Sequence, residues 1–132
     1  MPEAAVVNDL DLRLESERAV FEPGDLLQGS ASWALGFAPR ELEVRLYWKT
    51  SGKGTTDVAI VDVFQLSAAA AQGRQPFRFR LPLQPYSFSG RLVSLTWGIE
   101  LVVEPGRESH HLELVMAPGG RPVILHTGDG LA

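Results

Sequence analysis

The chain has 132 residues, 16 acidic against 12 basic side chains and a formal net charge of −4. Its length fits one domain with a core of its own, which we expect to span residues 1–132. The absence of cysteine excludes disulfides, thiolate metal sites and cysteine nucleophiles, and the acidic balance disfavours a nucleic-acid partner.

Neither export nor membrane insertion is expected from the sequence. Residues 1–9 lack the basic and long apolar regions of a secretory signal. The longest apolar stretch, residues 58–66, falls far short of the roughly 20 residues that span a bilayer. We therefore expect a cytoplasmic protein without a membrane span.

Apolar and polar residues alternate along most of the chain, as in half-buried β-strands. In residues 41–49, one face carries Leu42, Val44, Leu46 and Trp48, which predicts a core position for Trp48. The same alternation occupies residues 10–14, 77–81, 93–103 and 112–116, and residues 26–35 and 58–66 add two further predicted strands. Glycine and proline turns separate these segments. The pattern predicts an all-β, antiparallel immunoglobulin-like sandwich of about seven to eight strands.

Two longer stretches carry a family resemblance. Residues 21–29, with Pro23, Gly24 and Gly29, are similar to the aromatic-x-Pro-Gly-Asp hairpin of the arrestin-like family. Residues 77–100 are similar to the F-x-F-x-L-P core of that family, which includes arrestins, the vacuolar-sorting 26 type and sporulation-control proteins. The resemblance covers roughly residues 10–117 and implies a single arrestin-like lobe. It implies structural roles for a set of turn and core residues: Pro23, Gly24, Gly29, Pro82, Pro85, Gly90 and Trp97.

No group of residues predicts catalysis, a metal site or a cofactor site. His110 and His111 are adjacent on a strand, so their side chains point to opposite faces and cannot readily share a metal. Ser87 and Ser89 lack the surroundings of a catalytic serine, and we expect them to form local hydrogen bonds in the turn. The expected function is therefore a non-catalytic protein-interaction or scaffolding module.

One segment predicts where such a module would bind. Residues 58–66 are apolar on both faces, unlike an ordinary half-exposed strand. Its second face needs a cover, either the C-terminal tail, residues 118–132, docking as an extra strand, or a partner or second copy at an open edge. The candidate surface comprises Val58, Ile60, Val61, Val63, Phe64 and, from the tail, Ile124.

A second candidate surface contains Arg78 and Arg80, which point outward together and lie near Arg91 in sequence. They could recognise an anion. Surface ion pairs are common and weak, which favours the alternative of an arginine face balanced by acidic neighbours on adjacent strands. A small-ligand or carbohydrate-binding sandwich is the alternative function, and it requires an exposed Trp33 or Tyr86.

Overall fold

A computed structural model describes residues 9–52, 54–67, 70–90, 92–106, 108–121 and 123–124. The strands are β1 (Asp9–Leu14), β2 (Val20–Phe21), β3 (Leu26–Ala34), β4 (Glu41–Gly52), β5 (Thr55–Leu66), β6 (Gln72–Arg80), β7 (Phe88–Ser89), β8 (Val93–Glu104), β9 (Ser109–Met116) and β10 (Val123–Ile124). A 3-10 turn, Pro118–Gly120, lies between the last two strands. The strand-rich structure confirms the predicted all-β class.

Two sheets form the sandwich. The smaller sheet has the antiparallel order β1-β3-β6. In the larger sheet, β4 lies between β5 and β8, and the other side of β8 is shared by β7 and β9. Two short contacts are parallel, β2 with β9 and β7 with β10, a detail that the purely antiparallel prediction missed.

The core lies between the two sheets. From the larger sheet, the alternate residues Leu42, Val44 and Leu46 of β4 point inward and are fully buried. From β8, the inward set is Leu95, Trp97, Ile99, Leu101 and Val103. The smaller sheet contributes Leu12, Leu27, Ala31, Trp33, Phe77 and Phe79. The period-2 pattern of the sequence therefore selects the core face correctly along the long strands.

The two paired tryptophans differ in burial. Trp97 is fully buried, and its indole N–H donates to the carbonyl oxygen of Pro85 at 2.8 Å. Trp48 lies opposite Trp97 on the core face and packs against the core as predicted, but it is only half-buried. Its other neighbour, Ala59 of β5, is also only half-buried, because the core thins out towards the β4–β5 hairpin.

The turn at Pro23 and the connection after β6 form one corner of the sandwich. Gly24 has a φ of 84°, and the amide of Asp25 donates to the carbonyl of Glu22 at 3.1 Å, as the predicted proline-glycine turn requires. The amide of Gly24 donates to the carbonyl of Pro82 at 3.2 Å. These bonds fasten the turn to the end of β6.

Gly29 allows a close approach between β1 and β3. A Cβ atom at this position would lie 2.3 Å from the backbone oxygen of Arg13, a separation that real Cβ atoms do not reach. The register of β3 with both neighbours continues through Gly29 without a bulge. Close backbone approach is therefore the reason for glycine here.

The connection that ends at Gly90 is tied to β9 by Ser87. This side chain is buried, its hydroxyl accepts from the amide of Met116 at 3.0 Å, and its own amide donates to the carbonyl of Met116 at 2.8 Å. The expectation of purely local turn bonding by Ser87 was wrong, because the bonded residue is 29 positions away. Pro85, Ser87 and Gly90 thus belong to a segment held across the larger sheet.

Candidate interaction surfaces

The outer face of β5 carries a column of exposed aliphatic side chains. Val58, Ile60 and Val63 pair in register with Lys49, Tyr47 and Arg45 of β4, so they share the solvent side of the larger sheet. Together with Val61 they are between 40 % and 59 % exposed. Among the described residues this apolar column faces solvent, and its predicted cover, the C-terminal tail or a partner, stays a prediction.

The free edge of β5 is irregular. The register with β4 shifts between Leu46 and Tyr47, which leaves Val61 as an extra residue on β5. Beside it, the carboxylate of Asp62 accepts a hydrogen bond from the amide of Val63 at 2.9 Å. Bulges and charged side chains at an edge hinder the addition of another strand. The side-chain face of β5 is thus more open to a partner than its backbone edge.

Two further residues of the predicted surface have different surroundings. Phe64 is half-buried against the core, and its ring meets the ring of Phe79 edge-on with centroids 6.3 Å apart. Phe64 therefore packs inward, which corrects its assignment to the exposed surface. Ile124 belongs to β10, which pairs with β7 at the opposite edge of the larger sheet from β5, and its side chain lies outside the described residues.

A polar array, Tyr47-His111-Glu100, lies on the same outer face beside the aliphatic column. Gly98 is the register partner of Tyr47, and a Cβ there would come within 2.5 Å of the tyrosine oxygen, so the Tyr47 ring lies across the glycine. The hydroxyl of Tyr47 is 3.2 Å from Nδ1 of His111, and Nε2 of His111 is 3.3 Å from a carboxylate oxygen of Glu100.

Electrostatics in this array favour a neutral Tyr47. Burial raises the pKa of the Tyr47 hydroxyl, and the carboxylates of Glu113 and Glu100 raise it further. Lys49 pairs with Glu113 at 3.5 Å, and Arg45 pairs with Glu43. The centre of the outer face is therefore internally charge-balanced. No local sequence pattern indicates this array, because its residues come from three strands that only the register brings together.

The arginines of β6 occupy the outer face of the smaller sheet. Arg80 donates to the carbonyl of Gly24 at 3.1 Å and so supports the corner turn. Arg78 is exposed and pairs in register with Gln28 of β3. The β3 register partners of this face are neutral, while the acidic Glu15 lines a shallow hollow together with Gln28 and Arg78. Arg91 lies outside the described residues.

A cleft of about 420 Å³ opens where β8 changes neighbour from β7 to β9. Its lining includes the hydroxyl groups of Ser89, Ser94 and Thr96 and the carboxylate of Glu113. In the part of the chain that the structure describes, no group of three or more His, Cys, Asp or Glu residues could hold a metal ion. Nor do these residues include a helix long and apolar enough to cross a membrane.

The two sheets, the fastened Pro23-Gly24 turn and the proline-rich corner define an arrestin-like β-sandwich, as the sequence predicted. Among solved structures, the sporulation control protein Spo0M of Bacillus subtilis matches with a TM-score of 0.61 and 20 % identity. The match covers 83 % of this chain and 49 % of Spo0M, so the chain spans about half the length of that protein. At this identity the likeness establishes the fold alone.

Other matches are weaker. A β-glucosidase of Listeria innocua gives a TM-score of 0.46 at 11 % identity, over 89 % of this chain and 17 % of the enzyme. The alkylpurine DNA glycosylase AlkC of Pseudomonas fluorescens gives 0.44 at 19 % identity, over 82 % and 30 %. Scores this low carry no functional argument. No protein family model and no curated protein matches the chain.

Proposed function

We propose that this protein is a non-catalytic interaction module that binds a protein partner through the outer face of β5. The observation that carries the proposal is the exposure of Val58, Ile60, Val61 and Val63 on one strand. Each buried aliphatic side chain contributes roughly 1.5–3 kcal/mol relative to an exposed one, so contact with a partner would stabilise a complex. Contiguous apolar surface of this kind marks interaction sites.

The surroundings of the column favour recognition by side chains. The bulge at Val61 and the bond from Val63 to Asp62 hinder strand addition at the edge. Arg45 and Lys49 beside the column are already ion-paired, so the partner needs an apolar surface more than a charged one. A homo-oligomer through the open edge is the competing arrangement.

The lack of cysteine supports a cytoplasmic location for this function. A regulatory binding role would also be in keeping with the name of Spo0M, a sporulation control protein, although the shared fold by itself does not specify a role. The exposed β5 surface supports the proposed function, whereas the likeness to Spo0M supports only the fold that carries this surface.

Paired capture experiments test the proposal. Ile60→Lys/Val63→Lys places two charges in the column, while Leu83→Lys places one charge on a residue that is 71 % exposed in the connection after β6. We expect partners captured by wild type from native cells to be lost with the β5 variant and kept with Leu83→Lys. Identical capture by all three proteins would refute the β5 surface.

Sedimentation velocity over a concentration series identifies a second copy as the partner. Dimerisation of wild type that the same β5 substitutions abolish would assign the surface to self-association. Dimerisation that survives these substitutions would place the contact elsewhere and count against the proposal. Circular dichroism of each variant checks that the substitutions leave the fold intact.

The cleft beside β7 favours a second candidate, a small polyhydroxylated ligand. The hydroxyl groups of Ser89 and Thr96 are suitable hydrogen-bond partners for such a ligand, and the cleft volume of about 420 Å³ is within the usual range of ligand pockets. Trp33 is buried, which removes one of the two predicted aromatic platforms, whereas Tyr86 is 40 % exposed. Calorimetric titration with a panel of monosaccharides tests this candidate. Binding that Thr96→Val abolishes would support it, and no heat at millimolar sugar would exclude it.

A further inference from the structure

The outer face of the smaller sheet is divided into three columns of different chemistry. The register places Arg74, Arg78 and Arg80 of β6 on this face at the sheet edge. The adjacent β3 positions hold the neutral residues Ser32, Gln28 and Leu26, with Ser30 opposite Pro76. The β1 column on the far side begins with Asp9 and Asp11 and continues with Arg13 and Glu15, whose amide donates to the carbonyl of Gln28 at 2.9 Å. The column of β6 arginines, here called the arginine column, thus has no acid on the adjacent strand β3.

The arginine column differs from the other arginine and lysine side chains that lie within the described strands. Arg13 pairs with Asp11 at 2.9 Å, Arg45 with Glu43 and Lys49 with Glu113. Among the described residues, none of the three column arginines lies within ion-pair distance of a carboxylate. In a protein of net charge −4, three unpaired cations along one strand form a local field of the opposite sign.

Two of these guanidinium groups are held in place by neutral acceptors. Arg74 donates to the hydroxyl of Ser30 at 3.3 Å, and Arg80 donates to the carbonyl of Gly24 at 3.1 Å. A guanidinium has five N–H donors and each of these bonds uses one of them. The remaining N–H groups can therefore donate to a ligand. A shallow hollow of about 300 Å³ is lined by Arg74, Ser30 and Pro76 on one side and by Arg13 and Glu15 on the other.

The spacing of the column suits an extended chain. Successive outward residues of a strand are separated by about 7 Å, so Arg78 and Arg80 match carboxylates two residues apart in an extended peptide, and Arg74 lies about 13 Å from Arg78. Guanidinium groups bind carboxylates through paired, charge-assisted hydrogen bonds. Pro76 between them has no amide to donate, so the ligand would bind over the face and not as an added strand.

We propose that the arginine column binds an acidic, extended peptide segment of a partner protein, at a surface separate from the β5 face. A single strand of nucleic acid fits less well, because the floor of Gln28, Ser30 and Ser32 offers no aromatic ring on which bases could stack. Asp9 and Asp11 at the start of β1 would also repel a polyanion wide enough to reach across β3. A narrow peptide that lies along β6 does not extend that far.

Fluorescence anisotropy with a labelled peptide of five Glu-Thr repeats tests the proposal. We expect saturable binding that weakens between 50 and 300 mM salt, because the contacts are exposed ion pairs. Arg74→Gln/Arg78→Gln and the single Arg78→Gln variant should both bind more weakly, the double variant by about tenfold. Arg80 is left unchanged, since it also supports the corner turn.

The matched controls separate the column from general charge effects. Arg18→Gln removes an exposed arginine outside the column, and a peptide of five Gln-Thr repeats removes the carboxylates. Both the affinity of Arg18→Gln and that of the β5 variant Ile60→Lys/Val63→Lys should equal wild type, while the Gln-Thr peptide should not bind. Equal affinity of wild type and the double column variant, absence of binding at millimolar peptide, or tighter binding of oligo-dT would overturn the proposal.

Discussion

β5 and β8 are both 12 residues long, both lie beside β4 and both are rich in large apolar side chains. In β8, alternate residues from Leu95 to Val103 are buried against the smaller sheet. In β5, the large aliphatics Val58, Ile60, Val61 and Val63 are exposed, and among its described side chains only Leu66 is buried. Apolar content therefore does not decide burial in this sheet; the position of each strand does.

The difference follows from what covers each strand. β8 has neighbours at both edges, the smaller sheet on its inner face and the Tyr47 ring over Gly98 on its outer face. β5 has β4 at one edge, and its aliphatic column has no cover among the described residues. The apolar residues of β8 are thus explained by folding. Those of the β5 column remain exposed, and the proposed contact with a partner would account for them.

The largest predicted effect concerns the inner face of β8. Trp97→Ala leaves a cavity in the core and removes the indole hydrogen bond to Pro85. We expect the free energy of unfolding to fall by about 3–5 kcal/mol. Urea unfolding of the variant and wild type measures this loss. A loss below 1 kcal/mol would mean that β8 does not hold the core together.

A smaller effect is predicted for the outer face of β8. Gly98→Ala places a methyl group against the Tyr47 ring, and overpacking of this kind costs about 1–3 kcal/mol. The same urea measurement in a Tyr47→Leu background, which removes the phenol group, should show a smaller cost for Gly98→Ala. Equal costs in both backgrounds would show that Tyr47 does not cover this strand.

The covering tyrosine also predicts a dependence on pH. The pKa of Tyr47 is raised in the folded state, so above about pH 10 the hydroxyl ionises first in the unfolded chain, and stability falls as pH rises. Below that pH both states are neutral at this group and the dependence disappears. Urea unfolding at pH 9 and pH 11 should show a decrease that Tyr47→Phe reduces. If stability decreases equally in Tyr47→Phe and wild type, groups other than Tyr47 cause the pH dependence.

Much of the fold could be predicted from the sequence, because alternation along a strand reports which face is buried. Leu42, Val44 and Leu46 are placed correctly by this rule, and the Pro23-Gly24 turn is placed by its own backbone chemistry. Trp48 shows the limit of the rule. Period 2 assigns a residue to a face, but it does not say how far the opposite sheet extends over that face.

The candidate sites depend on pairing between distant strands. Tyr47 and His111 meet because β4, β8 and β9 pair in a given register, and no local pattern encodes that register. The neutral neighbours of the arginine column are likewise a property of the β3–β6 register. The sequence could identify the apolar β5 segment and Arg78, but it could not say which side chains would stand beside them.

The most direct test of the central claim is urea unfolding of the triple variant Val58→Thr/Ile60→Thr/Val63→Thr. Threonine keeps the strand-forming shape of these residues while making the column polar. If the column serves a partner and not the core, the free energy of unfolding should change by less than about 1.5 kcal/mol, since exposed substitutions are usually within about 0.5 kcal/mol each. A loss as large as that of Trp97→Ala would contradict the account and place the β5 column within the core.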